Sequence, residues 1–145
     1  SAWLADRIGR RWTMFSFGII GSLGAVIVAF SAHWETSWII FFTGICVTMG
    51  FGDGAFGILN AFGGEQFPND ARGTGLGLGY GIGAIAKIVG PLLMGAMIGS
   101  DNLKELAHPL AAVFPAFLFF AAMLVLGGFV YLLARETKGE VLENI

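Results

Sequence analysis

The chain has 145 residues, 56% of them hydrophobic and 12% charged, with a formal net charge of −2. Soluble globular domains carry about 25% charged residues, so an ordinary soluble fold is excluded. The near-neutral balance, without a basic stripe to track phosphates, excludes nucleic acid as a partner.

The first connector, residues 1–12, is charged, and from there the chain alternates between apolar stretches and short polar ones. Residues 13–32 and 109–134 hold no Asp, Glu, Lys or Arg; residues 36–64 hold only Asp53 and residues 73–100 only Lys87. Each stretch reaches the roughly 20 apolar residues that cross a bilayer core. The predicted fold is therefore an all-α membrane protein with four transmembrane helices, at about 13–32, 37–62, 73–99 and 109–134. The connectors on one side contain Arg7, Arg10, Arg11, Arg72, Arg135 and Lys138, and those on the other only Lys104. This asymmetry places both ends in the cytoplasm, as expected of a multi-pass protein of the plasma (inner) membrane. The chain opens at Ser1 inside a charged loop, without a signal-peptide pattern, and is expected to be the C-terminal piece of a longer protein.

Cys46 lies within the second span without a partner, so neither a disulfide nor a thiolate metal site is expected. His33 and His108 sit in external loops with no second ligand at metal spacing, so no metal is predicted.

In the second span, Asp53 sits in "MGFGDGAFGILN", flanked by glycines, with Asn60 two turns further along the same face. It lies nine residues from the cytoplasmic end near Phe62, about 14 Å into the membrane at about 1.5 Å per residue. Such depth is near the centre of a core about 30 Å thick.

The third span opens with "GTGLGLGYGIGAIAKIVGP", residues 73–91. A dinucleotide loop needs a third glycine five residues after the first. Every glycine from Gly73 to Gly83 is odd-numbered, so none has such a partner, and Lys87 lacks the glycine and hydroxyl neighbours of a phosphate loop. On a helix the same glycines form two ridges, Gly73–Gly77–Gly81 and Gly75–Gly79–Gly83, the second leading to Lys87. Such ridges let membrane helices approach closely, and packing against a neighbouring helix is the expectation here. It does not account for Lys87, about 21 Å into the span by the same rise. Pro91 removes the hydrogen bond to the Lys87 carbonyl, so a kink is expected at Lys87–Pro91 and Lys87 is expected to face protein. Intramembrane charges cost about 2.5–3.5 kcal/mol each and mark substrate or proton paths. Asp53 and Lys87 are accordingly the leading substrate- or proton-binding candidates, with Asn60 and Tyr80 as neighbours; the competing reading is a structural Asp53–Lys87 pair. In the last span Pro109 suits a helix start, and Pro115 is expected to bend the first turns.

Three connectors carry a family resemblance. "ADRIGRR" (Ala5–Arg11) resembles the G-x-x-x-D-R-x-G-R-R loop of the major facilitator superfamily, matching at Asp6, Arg7, Gly9, Arg10 and Arg11, with Ala2 at the first glycine position. "EQFPNDAR" (Glu65–Arg72) resembles the E-x-x-P-x-x-x-R loop between spans 10 and 11. "ETKGEVLENI" (Glu136–Ile145) resembles the P-E-T-K-G-x-x-L-E tail of the sugar-porter and related metabolite branches, with Arg135 in place of the proline. "AKIVGP" and "HPLAAVFPAFLFFAAM" are most similar to the metabolite:proton symporters of that superfamily. The resemblance covers the whole chain as spans 9 to 12 of twelve.

That resemblance implies secondary active transport of a small organic metabolite by alternating access, with protons as the coupling ion and no cofactor, rather than enzymatic chemistry. Lys87 would suit an anionic substrate. The partners implied are that substrate, the lipid bilayer and the remaining N-terminal spans of the same protein. Asp6, Arg7, Gly9, Arg10, Arg11, Glu65, Arg72, Glu136 and Lys138 would form a cytoplasmic gating latch through charge-assisted hydrogen bonds. The alternatives are a drug:proton antiporter, an uncoupled facilitator, or a non-transporting membrane scaffold or sensor.

Overall fold

A computed structural model describes residues 2–98 and 111–137. The described residues form helices only: α1 (Ala2–Ile8), α2 (Arg10–His33), α3 (Trp38–Val47), α4 (Phe56–Glu65), α5 (Arg72–Ile98) and α6 (Phe114–Leu133). α3 and α4 belong to one apolar rod, Trp38–Glu65, and with α2, α5 and α6 this makes four elements long and apolar enough to cross a membrane. The all-α, four-helix reading holds.

α2 is the hub. Its buried face includes Phe17, Gly21, Gly24, Ala25, Val28 and Ala32, a run of small residues broken by a few large ones. Lipid tails provide no hydrophobic force between helices, so close backbone approach has to supply the packing. A Cβ at Gly18 would lie 3.0 Å from the Leu124 carbonyl and 3.3 Å from Gly128 Cα, which fixes the crossing of α2 with α6. At Gly24 it would meet Thr48 N at 2.7 Å and the Gly44 carbonyl at 2.9 Å, which fixes the crossing with α3. These glycines bring the backbones together; any side chain there would push whole helices apart.

Buried hydroxyls along the hub are satisfied locally. Thr13 donates to the Gly9 carbonyl at 2.8 Å and Ser31 to the Val28 carbonyl at 3.0 Å, so neither leaves an orphaned polar group in the apolar interior. At the cytoplasmic end Ala5 of α1 joins Met14, Ile58 and Phe62 in a buried cluster, pinning the short α1 against α2 and α4.

α5 differs from the other spans: none of its residues is buried. At Gly73, Gly77, Gly79, Gly81 and Gly83 an added Cβ would meet nothing within 4 Å, and only Gly75 is closely approached, by the Phe67 ring at 2.6 Å. The glycine ridges therefore do not pack on another helix among the described residues. Close glycine packing belongs instead to α2, where the i, i+3 series Gly18, Gly21, Gly24 faces neighbours on two sides. α5 also runs through Pro91 without a break in its helical assignment. Pro115 stands in the first turn of α6, where its missing N–H falls among donors that have no helical partner anyway. Pro109 lies outside the described residues.

Candidate functional site

The break in the second span coincides with its charge. Thr48–Gly52 winds as a π-helix and Asp53–Ala55 as a 3-10 turn before α4 resumes. The cause is local: Gly50, Gly52, Gly54 and Gly57 weaken the α-helical preference of this stretch. α2 then fixes its path, because a Cβ at Gly21 would lie 3.0 Å from Gly52 N. Phe51 is held edge-on against Phe17, ring centroids 5.4 Å apart. π-turns inside helices are rare and concentrate at functional sites, and secondary transporters place their sites on discontinuous helices.

Asp53, first residue of the 3-10 turn, lines a cleft of about 570 Å³ between α2, the broken span and α6. Along the broken span the cleft runs from Ile45 to Leu59, about 21 Å at about 1.5 Å per residue. Asp53 lies near the middle of that stretch. The opposite wall, from α6, sets Phe117, Phe120 and Tyr131 around Met123, Leu124, Gly127 and Gly128. Asp53 is the one charged group in the lining. Thr48 also faces the cleft, but its hydroxyl is committed to the Gly44 carbonyl at 2.8 Å.

Of the four candidates named from sequence, only Asp53 lines the cleft. Asn60 is exposed on α4. Lys87 and Tyr80 are exposed on α5, two turns apart, with the Lys87 ammonium 5.6 Å from the centre of the Tyr80 ring, within cation–π range. Among the described residues no ion pair joins Asp53 and Lys87; the pair Arg10–Glu65 is at the cytoplasmic end. Among the described residues Lys87 lies over the Tyr80 ring rather than beside Asp53. Sequence reading missed the α6 wall, although Tyr131, the one phenol in an otherwise apolar span, was a visible signal.

The cytoplasmic motifs do converge. Arg10 forms a partly buried ion pair with Glu65. Glu65 in turn accepts the hydroxyl of Thr137, which is 2% exposed. Glu136 Oε1 accepts the backbone amides of Arg10 at 3.1 Å and Thr137 at 3.2 Å. Its carboxylate thus caps the N-terminus of α2, where no side chain of the helix itself does so and the helix dipole favours a negative charge. Gly9 permits this arrangement: its φ is +109°, and a Cβ there would come within 2.8 Å of Glu136 Oε2. Gln66, unremarked in the sequence, donates to the Arg135 carbonyl at 2.9 Å and accepts the Arg135 amide at 3.1 Å. Arg72 Nε donates to the Gly64 carbonyl at 2.8 Å, and Arg11 to the Leu132 carbonyl. Arg7 stacks on Trp3 at 4.4 Å and Asp6 is exposed; Lys138 lies outside the described residues. The start of α2, the end of α4 and the segment after α6 are thereby tied into one cluster.

Residues 1–144 match the family model of the Major Facilitator Superfamily. The chain is 30% identical to the niacin transporter NiaP of Acinetobacter baylyi over 146 residues, 100% of this chain and 30% of that protein. The cis,cis-muconate transport protein of the same organism is 27% identical over 104 residues, 71% of this chain and 24% of that protein. The beta-alanine transporter of Drosophila melanogaster is 29% identical over 130 residues, 90% of this chain and 18% of that protein. The chain thus spans less than a third of each of these relatives. No solved structure matches it.

Proposed function

This chain belongs to the Major Facilitator Superfamily, and from that premise we propose that the whole protein carries a small organic metabolite across the plasma membrane together with protons. The observation that carries the reading is the position of Asp53, a lone carboxyl at a π/3-10 turn of the second span, lining the cleft between α2, that span and α6. Ionisable groups within membrane spans are rare and mark substrate or proton paths, which makes Asp53 the natural proton-carrying candidate. Alternating access would then expose Asp53 to one aqueous side at a time, so that proton and metabolite cross in the same cycle.

The substrate is proposed to carry a carboxylate. Niacin, cis,cis-muconate and beta-alanine, the compounds in the relatives' names, all do so. Lys87, held over the Tyr80 ring on a face of α5 that no described helix covers, is the cation suited to that group. Asn60 is a weaker polar neighbour on α4. The cytoplasmic cluster acts as the latch: it braces three segments of this half, and exposed Asp6 at its edge would meet the other half when the cytoplasmic side is shut.

The test is uptake by the full-length protein in proteoliposomes. Labelled niacin, muconate and beta-alanine are supplied with and without an inward proton gradient. Symport predicts gradient-driven accumulation of at least one of them. Equilibration unaffected by the gradient would mean an uncoupled facilitator, gradient-driven extrusion an antiporter, and no flux of any compound a scaffold or sensor.

A further inference from the structure

Two tryptophans mark where α2 meets lipid. Trp12 and Trp34, at its two ends, are 55% and 68% exposed. They stand about 33 Å apart along the helix and only about 40° apart around it. That rise matches a hydrocarbon core about 30 Å thick, and tryptophan favours both membrane–water interfaces. Leu23, Ile27 and Phe30 are exposed between them on the same side, opposite the buried Phe17, Gly21 and Val28. At its cytoplasmic end this lipid face hollows into a groove of about 380 Å³, lined by Ile8, Trp12, Phe15, Ser16, Ile19 and Ile20. Phe15 is held edge-on to Trp12, centroids 6.1 Å apart, and to Phe129 of α6 at 5.4 Å. From Trp12 to Ile20 the groove descends about 12 Å, most of the about 15 Å of hydrocarbon in one leaflet. Its one hydroxyl, on Ser16, is given to the Thr13 carbonyl at 2.9 Å. Apart from the Trp12 indole at the mouth, the lining side chains hold no other polar group. Such a groove suits a hydrocarbon chain and not a polar metabolite.

Cations gather at the mouth. Arg11, beside Trp12, donates to the Leu132 carbonyl at the end of α6. Its Nε is buried, which leaves the terminal nitrogens of the guanidinium fork, a geometry that matches phosphate. Arg7, beside Ile8, lies over the Trp3 ring at 4.4 Å. The neighbouring carboxylates are turned elsewhere. Asp6 is about 200° around α1 from Ile8, Glu65 pairs with Arg10, and Glu136 accepts the Arg10 amide.

We propose that this groove holds one acidic phospholipid of the cytoplasmic leaflet. An acyl chain lies along Trp12–Ile20, the headgroup phosphate meets Arg11, and Arg7 stands at the rim. Two arginines select a lipid of net negative charge, because a zwitterionic headgroup would set its own ammonium among cations. The bound lipid joins α1, α2 and the end of α6 from the membrane side. Met14 and Gly18, which line the Asp53 cleft, stand on another face of α2, so the lipid site is independent of the metabolite carried.

The experiment reads Trp12 in the full-length protein, in phosphatidylcholine bilayers. A minor fraction of the lipid carries bromine on its acyl chains, either as phosphatidylglycerol or as phosphatidylcholine. Bromine quenches tryptophan fluorescence on contact, and the difference between the parent and Trp12→Phe isolates the Trp12 signal. At equal fractions, phosphatidylglycerol should occupy the groove at least about fivefold more often, the scale of one or two basic groups at an anionic headgroup. The excess quenching should be confined to Trp12; the Trp34 signal, isolated with Trp34→Phe, should respond equally to both lipids. Arg11→Gln should remove most of the excess and Arg11→Lys, which keeps the charge, should retain part of it. Arg7→Gln should remove part by itself, whether or not the Arg11 variants fold. Ser16→Phe, which fills the groove and leaves both arginines, should abolish it. Soluble glycerol 3-phosphate should leave the quenching unchanged. Equal quenching of Trp12 by the two lipids, an equal excess at Trp34, or an excess that survives Ser16→Phe or the combined Arg7→Gln and Arg11→Gln would overturn the proposal. Relief by glycerol 3-phosphate would overturn it too, since the site would then be one for a soluble phosphate.

Discussion

Gly9 and Glu136, 127 positions apart in sequence, are built around each other. Glu136 Oε1 accepts the amide next to Gly9, and a Cβ on Gly9 would stand 2.8 Å from Glu136 Oε2. The glycine of the first motif is thereby explained twice, by its φ of +109° and by the carboxylate beside it.

Gly9→Ala is expected to lower the thermal midpoint of the purified protein, by strain of about 1–3 kcal/mol at a positive φ. Glu136 is a flexible side chain and can retreat, so removing it should relieve little. Gly9→Ala in a Glu136→Ala background should keep most of its cost. Full relief would mean that the steric contact, not the backbone, requires glycine.

Arg10 and Glu65 should behave as a couple. Their side chains are 22% and 12% exposed, so reversing one charge should cost more than the about 0–1 kcal/mol of a fully exposed pair. Arg10→Glu should reduce transport, and adding Glu65→Arg should restore part of it. Recovery should stay incomplete, because an arginine at 65 can no longer accept the Thr137 hydroxyl. Additive losses in a double-mutant cycle would show that the two residues act independently.

The glycines separate into two kinds. Gly24→Ala would drive a methyl into Thr48 N and the Gly44 carbonyl, backbone atoms that cannot turn aside. It should destabilise by about 1–3 kcal/mol, the usual range for overpacking. Gly79→Ala meets nothing within 4 Å and should cost clearly less in the same thermal assay. Equal costs would mean that the α5 ridge is as tightly packed as the α2 series.

This contrast shows what the residues made legible and what they did not. Four apolar stretches interrupted by clustered charges announced four helices, because length and hydropathy are one-dimensional properties. The isolated charge of Asp53 stood out in the second span for the same reason. Which glycines touch a neighbour is a pairwise property: the dense run in α5 drew attention, while the sparser Gly18–Gly21–Gly24 series does the packing. The break at Thr48–Ala55 was hidden because π and 3-10 turns leave no distinct period in so short a segment. Proline 91, the conspicuous breaker, leaves α5 unbroken. The meeting of Arg10, Glu65 and Glu136 was foreshadowed by opposite charges on one side of the membrane; the paired hydrogen bonds of Gln66 to the Arg135 backbone had no sequence signal at all.

The account turns on Asp53 as the proton carrier, and one measurement addresses that directly. Asp53→Asn in the full-length protein is compared with the parent in proteoliposomes, for gradient-driven accumulation and for gradient-free exchange of labelled substrate. An amide keeps the size and most of the hydrogen bonding of the carboxyl but cannot bind and release a proton. Accumulation against a gradient should be abolished while exchange persists within a few-fold. Undiminished proton-driven accumulation by Asp53→Asn would contradict the account.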